Sequence, residues 1–165
     1  MTEEWRPVLG WEGLYEVSDR GRVRSVNRAA RSRPGVTRAI KGKVLRPRVS
    51  KGGYLVVWLY DDGNRREQPT SRLVCAAWHG PCPPGMECRH LDDDKSNNTP
   101  ANLRWGTRSE NAYDKVRNGR HHMASKTHCK RGHPFDDINT YVNPRGMRRC
   151  RACKNQLRRN AAQAA

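Results

Sequence analysis

The chain lacks any long apolar run. No stretch approaches the ~20 consecutive apolar residues that a bilayer span needs, so no membrane partner is expected. Hydrophobic residues make up 35% of 165, and the mean hydropathy is −1.03. That is too little for one large core, and small modules strung along the chain are expected instead. The first residues, Met1 to Pro7, are acidic and polar, unlike a secretory signal. Acidic residues are missing over long distances. Residues 20–60 hold twelve Lys or Arg and no Asp or Glu, and residues 115–165 hold thirteen bases and two acids. Between them, residues 61–114 are near neutral, with seven bases and nine acids, and residues 1–19 carry one base and five acids. A single charge run is usually a solvated surface. Two acid-poor flanks in a chain of net charge +17 and pI about 10.4 point to a polyanionic partner, a nucleic acid.

What is present reads as short elements. Tyr15 and Val17 alternate with Glu16, Ser18-Asp19-Arg20-Gly21 breaks the run, and Arg22 and Arg24 then alternate with Val23 and Ser25. This is a hairpin pattern with turn residues at its centre. Trp5, Trp11 and Tyr15 would pack a small sheet, with Arg20, Arg22 and Arg24 facing out. Residues 27–53, rich in Arg, Lys, Gly and Pro, read as a loop or basic arm. Tyr54 to Tyr60 is a strand by its β-branched and aromatic content. Asp61-Asp62-Gly63-Asn64 turns it back into a return strand from Arg65 to Pro69. Ser71 to His79 reads as a helix capped by Ser71, with Val74, Ala77 and Trp78 on one face.

The stretch from Met86 to Lys115 carries the chemistry. His90 ends a short extended run, Asn102 follows twelve residues later, and Asn111 nine after that. An acidic, Asn-rich loop, a strand-like Asn-Leu-Arg-Trp and a helix opening at Thr107 or Ser109 lie between and after them. The words RHLDDDKSNN and NLRWGTRSENA in this register resemble the HNH endonucleases of the phage and intron-homing kind, whose core is a ββα-metal fold. The resemblance covers roughly Ser71 to Asn118. Trp5-Arg6-Pro7, Leu14-Tyr15-Glu16-Val17-Ser18 and Gly21-Arg22-Val23-Arg24-Ser25 are similar to a short modular domain found beside such nucleases, thought to help bind DNA.

The resemblance implies His90 as general base, Asn102 as the residue holding the histidine loop, and Asn111 as an oxygen ligand of one divalent cation, Mg2+ or Mn2+. Relatives commonly place a second metal ligand just before the base. Arg89 stands there and cannot ligate a cation. Three readings stay open. Arg89 neutralises the phosphate; or a nearby carboxylate, Asp92, Asp93, Asp94 or Asp114, takes over; or catalysis is weakened. Asp92 to Asp94 also read simply as turn and capping residues.

Cys129-Lys-Arg-Gly-His133 is followed, after sixteen intervening residues, by Cys150-Arg-Ala-Cys153. Two close pairs giving three sulfurs and one nitrogen match structural Zn2+. The second pair runs into a short basic helix from Lys154, as in a treble-clef or zinc-ribbon knuckle. His128 is a rival ligand to His133. Cys75, Cys82 and Cys88 form no such set and read as packing or free thiols. Residues 125–158 hold few large apolar side chains, so metal would supply folding energy there.

The expectation is an α+β protein of three modules. Residues 1–60 form a β-sheet DNA-binding module with a basic arm, residues 61–122 an HNH nuclease core and residues 123–165 a zinc-binding basic module. Its function would be metal-dependent hydrolysis of double-stranded DNA, nicking or cutting, with 5′-phosphate and 3′-hydroxyl ends by family resemblance. Arg20, Arg22, Arg24, Arg104, Arg108 and Lys115 would contact DNA. The protein would be monomeric and intracellular, in the cytoplasm or nucleoid of a bacterial host. The alternatives are a DNA-binding zinc protein with a degenerate HNH site and an RNA-binding zinc protein.

Overall fold

Apolar alternation around Glu16 gives the first sheet, in which β1 (Trp5–Pro7), β2 (Tyr15–Ser18) and β3 (Val23–Ser25) are antiparallel in that order. The turn between β2 and β3 is closed by the Ser18 hydroxyl, which accepts the Arg22 N–H at 3.0 Å. The computed structural model describes residues 2–33, 36–61 and 64–163. It divides into two compact units, Met1–Asn118 and Gly119–Ala165. Its class is α+β, with small sheets and three helices.

Residues 27–53 depart from the expected loop. Strands β4 (Arg28–Arg33) and β5 (Val36–Ile40) pair as a ribbon, and β6 (Arg48–Val49) joins a second sheet. The described side chains of β5 are exposed except Ile40, which is half-buried. The described side chains of β5 thus pack on no core, and the strand carries no hydrophobic alternation to read. Pro34 and Gly35, between the two strands in sequence, lie outside the described residues. In the second sheet, β7 (Leu55–Asp61) lies between β6 and β8 (Asn64–Pro69). The central residues of the β7–β8 turn, Asp62 and Gly63, are likewise outside the described residues.

Helix α1 (Thr70–His79) starts one residue before the expected cap. Pro69 holds the N-cap place with φ −64°, and no side chain caps the helix. Ser71 is instead buried inside the first turn, where its carbonyl accepts the Cys88 thiol. Strands β9 (Glu87–His90) and β10 (Leu103–Gly106) then pair antiparallel, and α2 (Arg108–Arg117) follows. Thr107 caps α2 through a reciprocal box with Glu110.

The expected boundary near residue 60 runs through one core. Val17 and Val23 of the first sheet, Val57 and Leu59 of β7, Leu73 and Val74 of α1, and Leu103 of β10 belong to a single buried cluster. Tyr15 adds a polar tie, its hydroxyl accepting the Tyr60 N–H at 3.0 Å and donating to the Tyr60 carbonyl at 3.3 Å. In the second unit, β11 (Thr140–Val142) pairs with β12 (Arg148–Cys150), which runs directly into α3 (Arg151–Gln163). Among the described residues, no helix is long and apolar enough to cross a membrane. The shared core has a measurable consequence. Leu59→Ala should cost about 2–5 kcal/mol and lower amide-exchange protection in β10 as well as in β2. Protection lost on one side only would mean that the two segments fold independently.

Candidate active site

Pairing of β9 with β10 sets the site. His90 lies opposite Leu103, Arg89 opposite Arg104, Cys88 opposite Trp105 and Glu87 opposite Gly106. His90 is buried at the end of β9. Its Nε2 lies 3.0 Å from Asn98 Oδ1, and its ring packs at 6.1 Å between centroids against Tyr54. Asn98 spends its amide N–H on the Ser96 carbonyl, so its oxygen faces the ring. On that hydrogen-bond assignment Nε2 carries the proton and Nδ1 keeps the lone pair. Asn98 was not anticipated from the sequence. It is one of several polar residues in the loop, and only the folded turn brings it back onto the ring.

Asn102 laces the loop after His90. Its Oδ1 accepts the Asp92 N–H at 3.1 Å, and its Nδ2 donates to Asp92 Oδ1 at 2.9 Å and to the Asn97 carbonyl at 2.8 Å. It touches the histidine only through this loop. Asp92 also accepts from the Asp94 N–H and the Asn97 amide. Burial opposes ionisation of Asp92, but the hydrogen bonds from Asp94, Asn97 and Asn102 outweigh it and bring its pKa below the ordinary carboxylate value. Asp94 accepts from the Ser96 N–H and hydroxyl. Both carboxylates thus serve the turn.

Arg89 does not face open solvent. Its side chain is 15% exposed and forms an ion pair with Asp114 of α2, itself 4% exposed, while Glu110 lies 3.6 Å away. Arg117 closes on the other Asp114 oxygen at 2.7 Å. The guanidinium crosses Gly106 so closely that an added Cβ would lie 2.3 Å from Arg89 Nε. Asp114 is therefore spent on two arginines. Asn111 lies on the first turns of α2, where its Nδ2 donates to Glu87 Oε1 at 2.6 Å. The structure brings Asn111 to the outer face of β9, beside Glu87, and His90 to the loop end of the same strand.

The expected DNA contacts are distributed unevenly. Arg22 pairs with Glu3, and Arg24 pairs with Glu16 at 2.6 Å while lying over the Trp5 ring. Arg104 Nη1 binds the carbonyls of Pro100 and Leu103, each at 2.7 Å, a bracing contact for the loop. Arg20 is exposed, as are Arg108 and Lys115 on α2.

In the second unit, Cys129, His133, Cys150 and Cys153 converge, with their ligand atoms all within 4.8 Å of one another. His133 Nδ1 lies 3.4, 3.7 and 3.3 Å from the sulfurs of Cys129, Cys150 and Cys153, and Cys129 lies 3.7 Å from Cys153. Gly132, at φ +78°, turns the chain back between the first two ligands. Burial opposes ionisation of Cys150, but the Cys153 N–H and the Asn139 amide outweigh it and bring the thiol down to about 6. This set can hold a metal ion. His128 is outside it, its ring bonded to the Thr127 hydroxyl. Cys82 and Cys88 bond to backbone carbonyls, and Cys75 is buried in the core.

Known proteins fit this arrangement. Residues 3–60 match the NUMOD4 motif, and residues 68–113 match the HNH endonuclease family. The DNA endonuclease I-HmuI of Bacillus phage SP01 is 30% identical over 116 residues, which is 70% of this chain and 59% of that protein. The chain thus spans under two thirds of that relative's length. A solved structure, described as DNA binding and cleavage by the HNH homing endonuclease I-HmuI, matches with a TM-score of 0.57 at 25% identity, covering 88% of this chain and 76% of that one. His90 ends β9, Asn102 directly precedes β10 and Asn111 lies on α2, all within the residues 68–113 that are similar to the HNH endonuclease family, and residues 3–60 are similar to the NUMOD4 motif.

Proposed function

We propose that the protein is a DNA endonuclease that hydrolyses phosphodiester bonds of duplex DNA with the help of a divalent cation. The observation that carries this reading is the oriented imidazole of His90. Asn98 takes the Nε2 proton, so Nδ1 is left to accept a proton from water, the task of a general base. Asn98 and Asn102 are positioning residues, one for the ring and one for the loop behind it.

A catalytic cation finds one fitting donor of the expected pair. The Asn111 carboxamide is a hard oxygen ligand suited to Mg2+ or Mn2+. Arg89 is not a ligand, and its charge is already neutralised by Asp114. The reading in which Arg89 rests on the phosphate is therefore replaced by one in which Arg89 positions α2. When bound, the cation would neutralise charge on the phosphate and help the leaving oxygen. The runner-up is a DNA-binding protein whose nuclease site has decayed, favoured by the same arginine. His90→Ala should lower cleavage of supercoiled plasmid by at least about 100-fold and leave DNA affinity nearly unchanged. Cleavage persisting in a clean His90→Ala preparation would refute the assignment. Wild-type protein that binds duplex DNA and never cuts it with Mg2+ or Mn2+ would favour the runner-up, and preference for RNA over duplex DNA would refute both.

The second unit is a structural zinc site by the same logic. Tetrahedral Zn2+ with sulfur at roughly 2.3 Å and nitrogen at roughly 2.0 Å sets S···S edges near ~3.8 Å and S···N edges near ~3.5 Å. The spacings around His133 Nδ1 lie within a few tenths of an ångström of these. Elemental analysis should find one zinc per chain. Cys150→Ser should abolish it and unfold residues 119–165 while the Met1–Asn118 unit keeps its circular-dichroism and tryptophan signals.

Binding should be largely electrostatic. If about eight phosphates are contacted, log K should fall with log salt at a slope near −7. A slope near zero would mean that the basic flanks do not face DNA.

A further inference from the structure

We propose that Glu87 is the carboxylate ligand of the catalytic cation, sharing it with Asn111 in place of the residue at position 89. This rests on the reading of the protein as a metal-dependent HNH nuclease. Side chains two apart on a strand share a face. Glu87 and Arg89 therefore both lie on the α2 side of β9. The ligand has moved one pleat along the strand, and an arginine has taken the vacated place.

Four other carboxylates around the site are committed. Asp92 and Asp94 close the loop turn, and Asp114 is buried between Arg89 and Arg117. Glu110 accepts both the N–H and the hydroxyl of Thr107 in the helix cap. Glu87 is exposed, and its one hydrogen bond among the described residues is the 2.6 Å contact from Asn111 to Oε1. Turning the Asn111 amide over would put Oδ1 where Nδ2 now stands. Two oxygens at that separation approximate one edge of a Mg2+ or Mn2+ octahedron, about 3 Å for ligands at roughly 2.1 Å. The hydrogen bond thus holds the two side chains where a cation would hold them.

Arg89 also comes close to this place, since its side chain crosses Gly106, the register partner of Glu87. Its positive charge is met there by Asp114 and, at 3.6 Å, by Glu110. Glu87 also borders a groove that leads toward the histidine. This open groove of about 430 Å³ is lined by Tyr54, Met86, Glu87 and Cys88, and Tyr54 packs against the His90 ring.

Mn2+ binding tests this directly, read by the EPR signal of free Mn2+ during titration of the zinc-loaded full chain with duplex DNA present. Glu87→Gln keeps size and polarity at an exposed position, so the fold should be preserved, as circular dichroism can check. The Mn2+ Kd should rise by about tenfold or more in Glu87→Gln and in Asn111→Ala. Cleavage in Glu87→Gln should fall and recover in part at high Mn2+. Asp93, whose N–H bonds the His90 carbonyl, is the rival carboxylate. Asp93→Asn should leave the Kd within about twofold, since on this assignment Asp93 is neither a ligand nor a hydrogen-bond partner of one. Wild-type Mn2+ affinity in Glu87→Gln, or a loss confined to Asp93→Asn, overturns the assignment. If His90→Ala still abolishes cleavage in that case, the nuclease reading stands without Glu87. If His90→Ala stays active, the nuclease reading itself has failed.

Discussion

Helix α2 is docked by an ion pair and not by apolar packing. Its one buried residue is Asp114, while Tyr113 is 73% and Val116 45% exposed. Asp114 meets Arg89 from β9, and the helix end is tied to the Leu91 carbonyl by Arg117 and Asn118. Everything required of Asn111 depends on this polar seam, because Asn111 reaches the site only if α2 lies along β9. A buried ion pair is a poor source of net stability, since desolvation offsets most of the attraction. Removing one partner is another matter. It leaves the other buried charge only partly compensated, by Arg117 for Asp114 or by Glu110 for Arg89, at a cost of up to about 3–5 kcal/mol. The pair therefore acts as a specificity device that fixes which face of α2 meets the strand. It also explains why position 89 tolerates an arginine: that side chain's task is now the register of the helix.

Elements were legible in the sequence wherever one local rule decided them. Tyr15 to Ser25 alternates with period two, Tyr54 to Tyr60 is dense in β-branched and aromatic residues, and Thr107 with Glu110 spells a capping box. The four zinc-type ligands were legible because metal geometry imposes spacing on the chain. The β4–β5 ribbon was not, because a strand such as β5, exposed along nearly all its length, carries no hydrophobic period. The ion pair of Arg89 with Asp114 was also hidden. It joins residues 25 apart across a strand and a helix, and no propensity or period encodes such a pairing. The same holds for Asn98, one of three asparagines within six residues, distinguished only by where the turn delivers it. Motifs placed a boundary near residue 60, whereas packing carries Val17, Leu59 and Leu103 into one core.

The Gly119–Ala165 unit solves a different problem with the same scarcity of apolar side chains. Helix α3 has no buried residue, and Ile138, Val142 and Leu157 are exposed. What remains to hold it is the convergence of Cys129 and His133 from one turn with Cys150 and Cys153 at the start of α3, plus rings covered by cations. Arg148 lies over Phe135 and Lys154 over Tyr141. A helix anchored only at its first turn presents the rest of its length to solvent.

That placement bears on how the net charge of +17 is used. In the Met1–Asn118 unit many arginines are engaged internally. Arg22, Arg24 and Arg48 each pair with a glutamate, and Arg65 lies 3.6 Å over the Trp58 ring. Surface pairs of this kind are worth about 0–1 kcal/mol, so a phosphate can displace the glutamate at little cost. Until it does, the pair holds the guanidinium in one orientation, which lowers the entropy lost on contact. On α3, Arg151, Lys154, Arg158 and Arg159 have no ion pair among the described residues. Their field is unscreened by internal partners and extends about a Debye length, ~8 Å at physiological salt. The two units thus carry their charge differently: the cations of α3 have no ion pair among the described residues, whereas the arginines around the aromatic sheets are held in one orientation by glutamate or by a ring.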